Sequence, residues 1–336
     1  MRVQFCIDRP SQVDRAAHAI TALASDGHPL GICVRRSRTA SARLEAAGFE
    51  HTVLTTPPAS PLGSTAERAL GAVRLGRYTQ AFDPDVIVDG STPTVRAASR
   101  LTGARLVSWN EPTVVNGDPL SPELYGAAAR YHPKWFSPDE VVRERHGVDA
   151  GGAYTIALFT AKASPYNAPE SGLSRRTKQQ VVETLSTVGR VYADNVDDPH
   201  PALAASRIRV PPSATPHLAH GASLVVSDSA RVAVGSALCG TPVVYAHVGD
   251  LNPVPEAVDA LATRGLVRVA VGDSETQSTV GELAATADRE VVWEQRATQF
   301  FAAVGDPTTE LLTAILEPTD RSLQVERRDQ QSTKPR

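Results

Sequence analysis

The sequence predicts an α/β fold made of two Rossmann-like domains facing a cleft. Short apolar runs alternate with amphipathic helical patterns from end to end, the rhythm of βαβ units with a parallel sheet between helices. That rhythm breaks near GVDAGG, Gly147 to Gly152, and then restarts. A chain of 336 residues also exceeds one typical core, so two domains of roughly 150 residues are expected.

The elements follow in order. Residues 2–7 (RVQFCI) read as a strand, 12–26 as a helix, 30–34 as a strand, 39–48 as a helix and 51–54 as a short strand. A helix covers 64–82, where Ser64 and Glu67 form a capping box. Residues 85–88 are a strand, 93–102 a helix and 105–108 a strand. The stretch 110–150 is less regular and holds one short helix, 139–146. Beyond the break, strands are expected at 154–159, 190–192, 208–210 and 266–271. Helices are expected at 174–187, 216–220, 255–263, 276–287, 289–303 and 308–316. The polar end, RSLQVERRDQQSTKPR, lacks periodicity and reads as a disordered tail.

Two segments share one plan. DVIVDGSTPTVRAASRLTGARLVSW (85–109) and SLVVSDSARVAVGSALCGTPVVYAH (223–247) each run strand, small polar loop, alanine-rich helix, glycine, strand. Two related halves with a cleft between them would produce this pattern. The domains are therefore expected at 1–150 and 151–318, with a tail at 319–336.

Composition narrows the function. The chain carries 34 basic and 37 acidic residues for a net charge of −3, which argues against a nucleic-acid partner. Lysine occurs only at Lys134, Lys162, Lys178 and Lys334. No apolar stretch approaches the roughly 18–20 residues that span a bilayer, and the N-terminus is too short in apolar residues for a signal peptide. Cys6, Cys33 and Cys239 share no metal-ligand spacing and read as buried thiols of a reducing compartment. A cytoplasmic protein is expected, with peripheral attachment to a membrane surface left open. No P-loop, complete GxGxxG after the first strand, HExxH, CxxC or GxSxG motif occurs, so kinase, P-loop, zincin and ordinary hydrolase chemistry lack support.

In open α/β sheets ligands bind beyond the carboxyl ends of strands, where helix N-termini offer N–H groups to phosphate. Four loops qualify: Asp8 to Ser11, Gly90 to Thr92, Ser227 to Ser229, and His247 to Asp250. Each has a plainer role. Ser11, Ser227, Asp228 and Ser229 are ordinary cap residues. Asp228 opposes a phosphate unless Arg231 offsets it, while Gly240-Thr241-Pro242 ends a helix and starts a strand. Asp8 could accept a proton from a sugar hydroxyl or form a surface pair with Arg9 or Arg36. Glu111, in SWNEP, could act as a base or hold a substrate hydroxyl.

Three stretches then resemble a known group. RVQFCIDRPSQVDRAAHAITALASDGH, DVIVDGSTPTVRAASRLTGARLVSWNE and ASLVVSDSARVAVGSALCGTPVVYAHVGDL are similar to the archaeal and bacterial predicted glycosyltransferases of GT-B architecture. That group is related to UDP-N-acetylglucosamine 2-epimerase and the peptidoglycan N-acetylglucosaminyltransferase. The resemblance implies a UDP-linked nucleotide sugar near Ser227, Ser229, Arg231, Thr241 and His247. A glycan or lipid-linked acceptor would meet Arg9, Gly90 and Ser91, with Asp8 and Glu111 catalytic. It implies transfer without a metal or cofactor, in glycan or glycolipid assembly. The chain departs from the pattern at two places: its loop lacks glycine, and Gly235 stands where the group has a ribose-contacting glutamate. A UDP-sugar 2-epimerase-like enzyme, or a non-catalytic partner in glycan assembly, are the alternatives.

Overall fold

The structure, a computed structural model, describes residues 1–35, 37–55, 63–89, 92–108, 113–115, 118–148, 151–159, 173–194, 208, 210, 214–248 and 253–317. The chain forms two compact units, Met1–Glu111 with Asp306–Arg336, and Pro112–Gly305.

The first unit is built on five parallel strands, β1 (Val3–Ile7), β2 (Leu30–Arg35), β3 (Thr52–Thr55), β4 (Val86–Asp89) and β5 (Arg105–Ser108). Their spatial order is β3-β2-β1-β4-β5. Helices α1 (Pro10–Ser25), α2 (Arg38–Ala46), α3 (Gly63–Phe82) and α4 (Pro93–Thr102) make the crossovers. Central strands β1 and β4 are buried at every residue, as strands covered on both faces must be.

The second unit opens with an antiparallel hairpin, β6 (Thr113–Val115) and β7 (Asp118–Leu120), then α5 (Pro122–Tyr131) and α6 (Glu140–Arg145). Its sheet comprises β8 (Tyr154–Leu158), β9 (Arg190–Asp194), β10 (Leu224–Ser227), β11 (Val243–His247) and β12 (Arg268–Val271), all parallel. Between them run α7 (Arg175–Ser186), α8 (Thr215–Ala219), α9 (Ala230–Leu238) and α10 (Glu256–Thr263), and α11 (Gly272–Ala285) and α12 (Arg289–Val304) follow. The order is β12-β11-β10-β8-β9.

The division differs from the expected boundary at 150. Leu124, Tyr125 and Ala128 of α5 share a core with β8, β10 and α9, so α5 belongs to the second unit. The last helix, α13 (Pro307–Leu316), belongs to the first. Its Leu311 and Ile315 pack with Val13, Ala16 and Ile20 of α1. Arg105 donates to the carbonyls of Ala314, at 2.6 Å, and Ile315, satisfying helix-end acceptors. The expected tail at 319–336 lies outside the described residues, as do the side chains of Ser64 and Glu67.

The two similar segments take equivalent places. β4 pairs β1 and β5, and β10 pairs β8 and β11, each beside the first strand of its sheet. Gly103 and Gly240 both have left-handed φ, 74° and 76°, which lets each helix turn directly into the next strand. Chain direction across each sheet reverses between these strands, β1/β4 in one and β8/β10 in the other. Such a switch point opens a crevice beyond the strand ends.

Candidate functional site

At the switch point of the first unit the described residues form an ion cluster. Arg35, at the end of β2, donates through Nη2 to Asp8 Oδ2 (2.8 Å), Asp89 Oδ1 (3.0 Å) and Thr92 Oγ1 (3.1 Å). Thr92 returns its N–H and hydroxyl to Asp89 Oδ2 at 2.8 and 3.0 Å. Asp89 is wholly buried, and the Asp8 side chain is 26% exposed. Burial opposes the Arg35 charge, but Asp8 and then Asp89 outweigh it and raise its pKa. Among the described residues Asp8 pairs with Arg35. Arg35 is buried together with Gly31 to Val34, the rest of β2 after Leu30. Arg9 is exposed, and the N–H groups of Asp8 and Arg9 donate to Gln12 Oε1 at 2.7 and 3.0 Å. Gly90, Ser91, Glu111 and Arg36 lie outside the described residues.

In the second unit the switch point holds a cavity of about 240 Å³. Leu158 and Phe159 at the end of β8, Asp194 at the end of β9, and Ser229, Arg231, Val232, Gly235 and Ser236 along α9 line it. Tyr131 closes one side, and Val210, Thr215 and Pro216 another. Residues 229, 232 and 236 follow the three- and four-residue spacing of one helix face, which is why one wall of the cavity is α9.

The loop after β10 explains which serine faces the cavity. Ser227 is fully buried; its hydroxyl donates to the Leu158 carbonyl (2.5 Å) and accepts from the Ser229 N–H (3.1 Å). That bond ties β10 to β8 and folds the turn. Ser229 then occupies the N-cap of α9 without a side-chain cap bond, unlike Ser37, Ser121 and Ser174 at their helices. Ser229 lines the cavity. Asp228 precedes the cap position and its charge acts, after burial, to raise the Tyr245 pKa.

The predicted site residues therefore separate. Ser229 and Arg231 line the cavity, whereas Ser227, Thr241 and His247 do not. Thr241 is buried and donates its hydroxyl to the Ala219 carbonyl at 2.8 Å, a structural bond. His247 is buried at the end of β11 with its ring 5.8 Å from that of Tyr245. Tyr131, Asp194 and Ser236 escaped sequence reasoning. Asp194 had a signal, an acid ending a strand; Tyr131 lies in a stretch read as irregular, and Ser236 follows Gly235 on a helix of which only Arg231 and Gly235 were singled out.

The departure at Gly235 has a physical counterpart. A Cβ there would stand 3.1 Å from the Tyr131 hydroxyl oxygen and 3.2 Å from its Cζ. Tyr131 is held by an edge-on contact with Phe136 at 5.7 Å. Phe136 in turn packs on His217 of α8 at 5.3 Å.

Among the described residues no group of histidine, cysteine, aspartate or glutamate side chains could hold a metal ion. No described helix is long and apolar enough to cross a membrane.

This architecture, α/β with two parallel sheets, is of the GT-B type and is similar to solved glycosyltransferases and UDP-GlcNAc 2-epimerases. Among similar solved structures is UDP-GlcNAc 2-epimerase from Neisseria meningitidis bound to UDP-GlcNAc, with TM-score 0.61, 13% identity, and 94% of this chain and 100% of that one covered. The glycosyltransferase VinC in complex with dTDP gives 0.60 at 12% identity, covering 94% and 98%. The spinosyn forosaminyltransferase SpnP gives 0.56 at 13%, covering 93% and 99%. No protein-family model matches the sequence, and no curated protein matches it significantly.

Proposed function

We propose that the second unit binds the nucleoside diphosphate of a nucleotide sugar, UDP-linked, and that the protein is a glycosyltransferase of glycan or glycolipid assembly. The observation that carries this is the cavity at the β8/β10 switch point, with Ser229 and Arg231 at the N-terminal end of α9. A helix N-terminus presents about half a positive charge and unpaired N–H groups. With Arg231 it would offset the charge of a leaving diphosphate without a metal. The acceptor, a glycan or lipid-linked sugar, is assigned to the first unit. There Asp8 would be the general base, held in place by Arg35, and Arg9, Gly90, Ser91 and Glu111 would complete its site.

The 2-epimerase-like alternative is supported by the likeness to the Neisseria enzyme, whose name states that activity. Product analysis separates the two. Incubation with UDP-GlcNAc and a panel of glycan acceptors should release UDP and form a glycoside. An isomerised sugar still attached to UDP would establish epimerisation instead. A bound but unaltered nucleotide sugar would make the protein a non-catalytic member of the fold.

A further inference from the structure

The first unit holds a cavity of about 210 Å³ walled by α2 and β3. Ser41 lines it from the second turn of α2. Other helical hydroxyls turn back onto their own helix: Thr21 donates to the Ala17 carbonyl (3.0 Å), Ser25 to that of Thr21 (2.9 Å) and Thr184 to that of Gln180 (3.0 Å). The Ser41 hydroxyl meets His51 Nε2 at 2.5 Å, and His51 Nδ1 meets the Phe49 carbonyl at 3.1 Å. A carbonyl oxygen only accepts, so Nδ1 carries the proton, and the neutral ring presents its Nε2 lone pair to Ser41. A hydroxyl, a base within its reach and a third group orienting the base are the parts of an activated nucleophile. No GxSxG sequence marks the pair, because α2 and the residue before β3 assemble it.

The rest of the cavity suits a small neutral ligand. Arg38 and Glu45 both line it and offset one another in charge, and Val53 supplies an apolar wall. Thr55, which also lines it, is 4% exposed, and its hydroxyl has no hydrogen-bond partner among the described residues. A buried hydroxyl left this way costs free energy, and an oxygen of a ligand can supply the missing partner. Thr55 stands at the opposite end of β3 from His51, so it holds the far end of a ligand whose near end meets Ser41.

We propose that Ser41 and His51 form the nucleophile and general base of an acyl-transfer site for a small neutral carboxylic ester, separate from nucleotide binding in the second unit. Ser41 Oγ adds to the ester carbonyl carbon, and its proton passes to His51 Nε2. The bond from that carbon to the alcohol oxygen breaks, and His51 gives the proton to the departing oxygen. Water, deprotonated by His51, then attacks the acyl-serine. The carboxylic acid leaves, and the proton returns to Ser41 Oγ.

Incubation of the intact protein with p-nitrophenyl acetate tests the proposal. Wild type should release p-nitrophenolate and, after an acid quench, carry acetyl on Ser41, located by peptide mass spectrometry. Ser41→Ala should lose that hydrolysis. His51→Gln separates a base from a structural partner, because its amide keeps a hydrogen bond to Ser41 but takes up no proton. It should slow acylation about 100-fold or more, with thermal stability close to wild type. No acetyl on Ser41 in wild type, equal labelling of Ser41 in wild type and His51→Gln, or undiminished hydrolysis by Ser41→Ala would each overturn the proposal.

Discussion

At the residue scale, two buried clusters make opposite demands. Arg35 neutralises two carboxylates, one of them wholly buried, so removing it strands charge away from water. Arg35→Ala should cost about 3–5 kcal/mol, read as a lower urea midpoint with an unchanged m-value. A loss below about 1 kcal/mol, the level of a surface pair, would show that the cluster is solvated. Gly235 behaves in the reverse sense, because nothing is missing there that a side chain could restore. Gly235→Glu should lower stability and abolish nucleotide affinity by pushing on Tyr131, whose hydroxyl lies 3.1 Å from where the Cβ would be. A stable Gly235→Glu with improved UDP affinity would contradict that geometry. The sequence singles out Asp8 and Gly235 but shows neither the Arg35 contact nor the Tyr131 ring over position 235. Arg35 stands in a run of basic residues, Arg35, Arg36 and Arg38, and only the folded sheet shows that Arg35 is buried.

At the element scale, legibility followed burial. Strands β1, β4, β8, β10 and β11 are covered on both faces, so each appears as a mainly apolar run, interrupted only by buried Gln4 in β1 and Thr155 in β8 and ending in Asp89, Ser227 and His247 in β4, β10 and β11. Helix α5 was missed because Pro122, Gly126 and three successive alanines blur its periodicity, although its N-cap, Ser121, is conventional. That omission removed Tyr131 from view. The loop before α9 was found, yet which serine serves the turn and which the cavity depends on the Ser227–Leu158 bond across the sheet. Since Ser229 makes no side-chain cap bond, Ser229→Ala should change stability by less than about 0.5 kcal/mol, against the usual 1 for a capping serine. A loss near 1 kcal/mol in thermal unfolding would restore the simple cap. Helix α8, which lines the cavity through Thr215 and Pro216, is tied down by His217. Its Nδ1 accepts the Asp139 N–H at 3.0 Å. Burial, reinforced by Arg130 and opposed by Asp139, lowers the His217 pKa, and burial with Arg143 does the same at His220. A histidine held neutral in the fold gives its full stabilisation above the unfolded value of about 6.5. That contribution is lost as pH falls from there through the folded value. The urea midpoint should therefore drop between pH 7.5 and 5.5, and His217→Asn, whose amide oxygen can accept the same bond, should shrink the drop. An unaltered drop would place the acid sensitivity elsewhere.

At the scale of the whole molecule, the chain carries two switch points with contrasting contents: an ion cluster in the first unit and an open cavity in the second. The similarity of 85–109 to 223–247 foreshadowed this pairing, because both segments flank the first strand of their sheet. The unit boundary was harder to see. Its determinants are the apolar faces of α5 and α13, each of which packs far from its place in the chain. If helix N–H groups and Arg231 suffice for the diphosphate, excess EDTA should leave UDP affinity unchanged; a loss reversed by added Mg²⁺ would require a metal. The central claim is that the Ser229 end of the second unit's cavity receives the diphosphate. Thermal unfolding of wild type and Ser229→Asp, with and without UDP, tests it most directly. UDP at about 100 times its dissociation constant should stabilise the wild type by roughly 2.7 kcal/mol, a shift on the order of several degrees at most. Ser229→Asp should keep its own unliganded stability, since aspartate suits a helix N-terminus, and lose the shift through repulsion of the phosphate. An equal shift in both proteins, or none in wild type at millimolar UDP, would contradict the account.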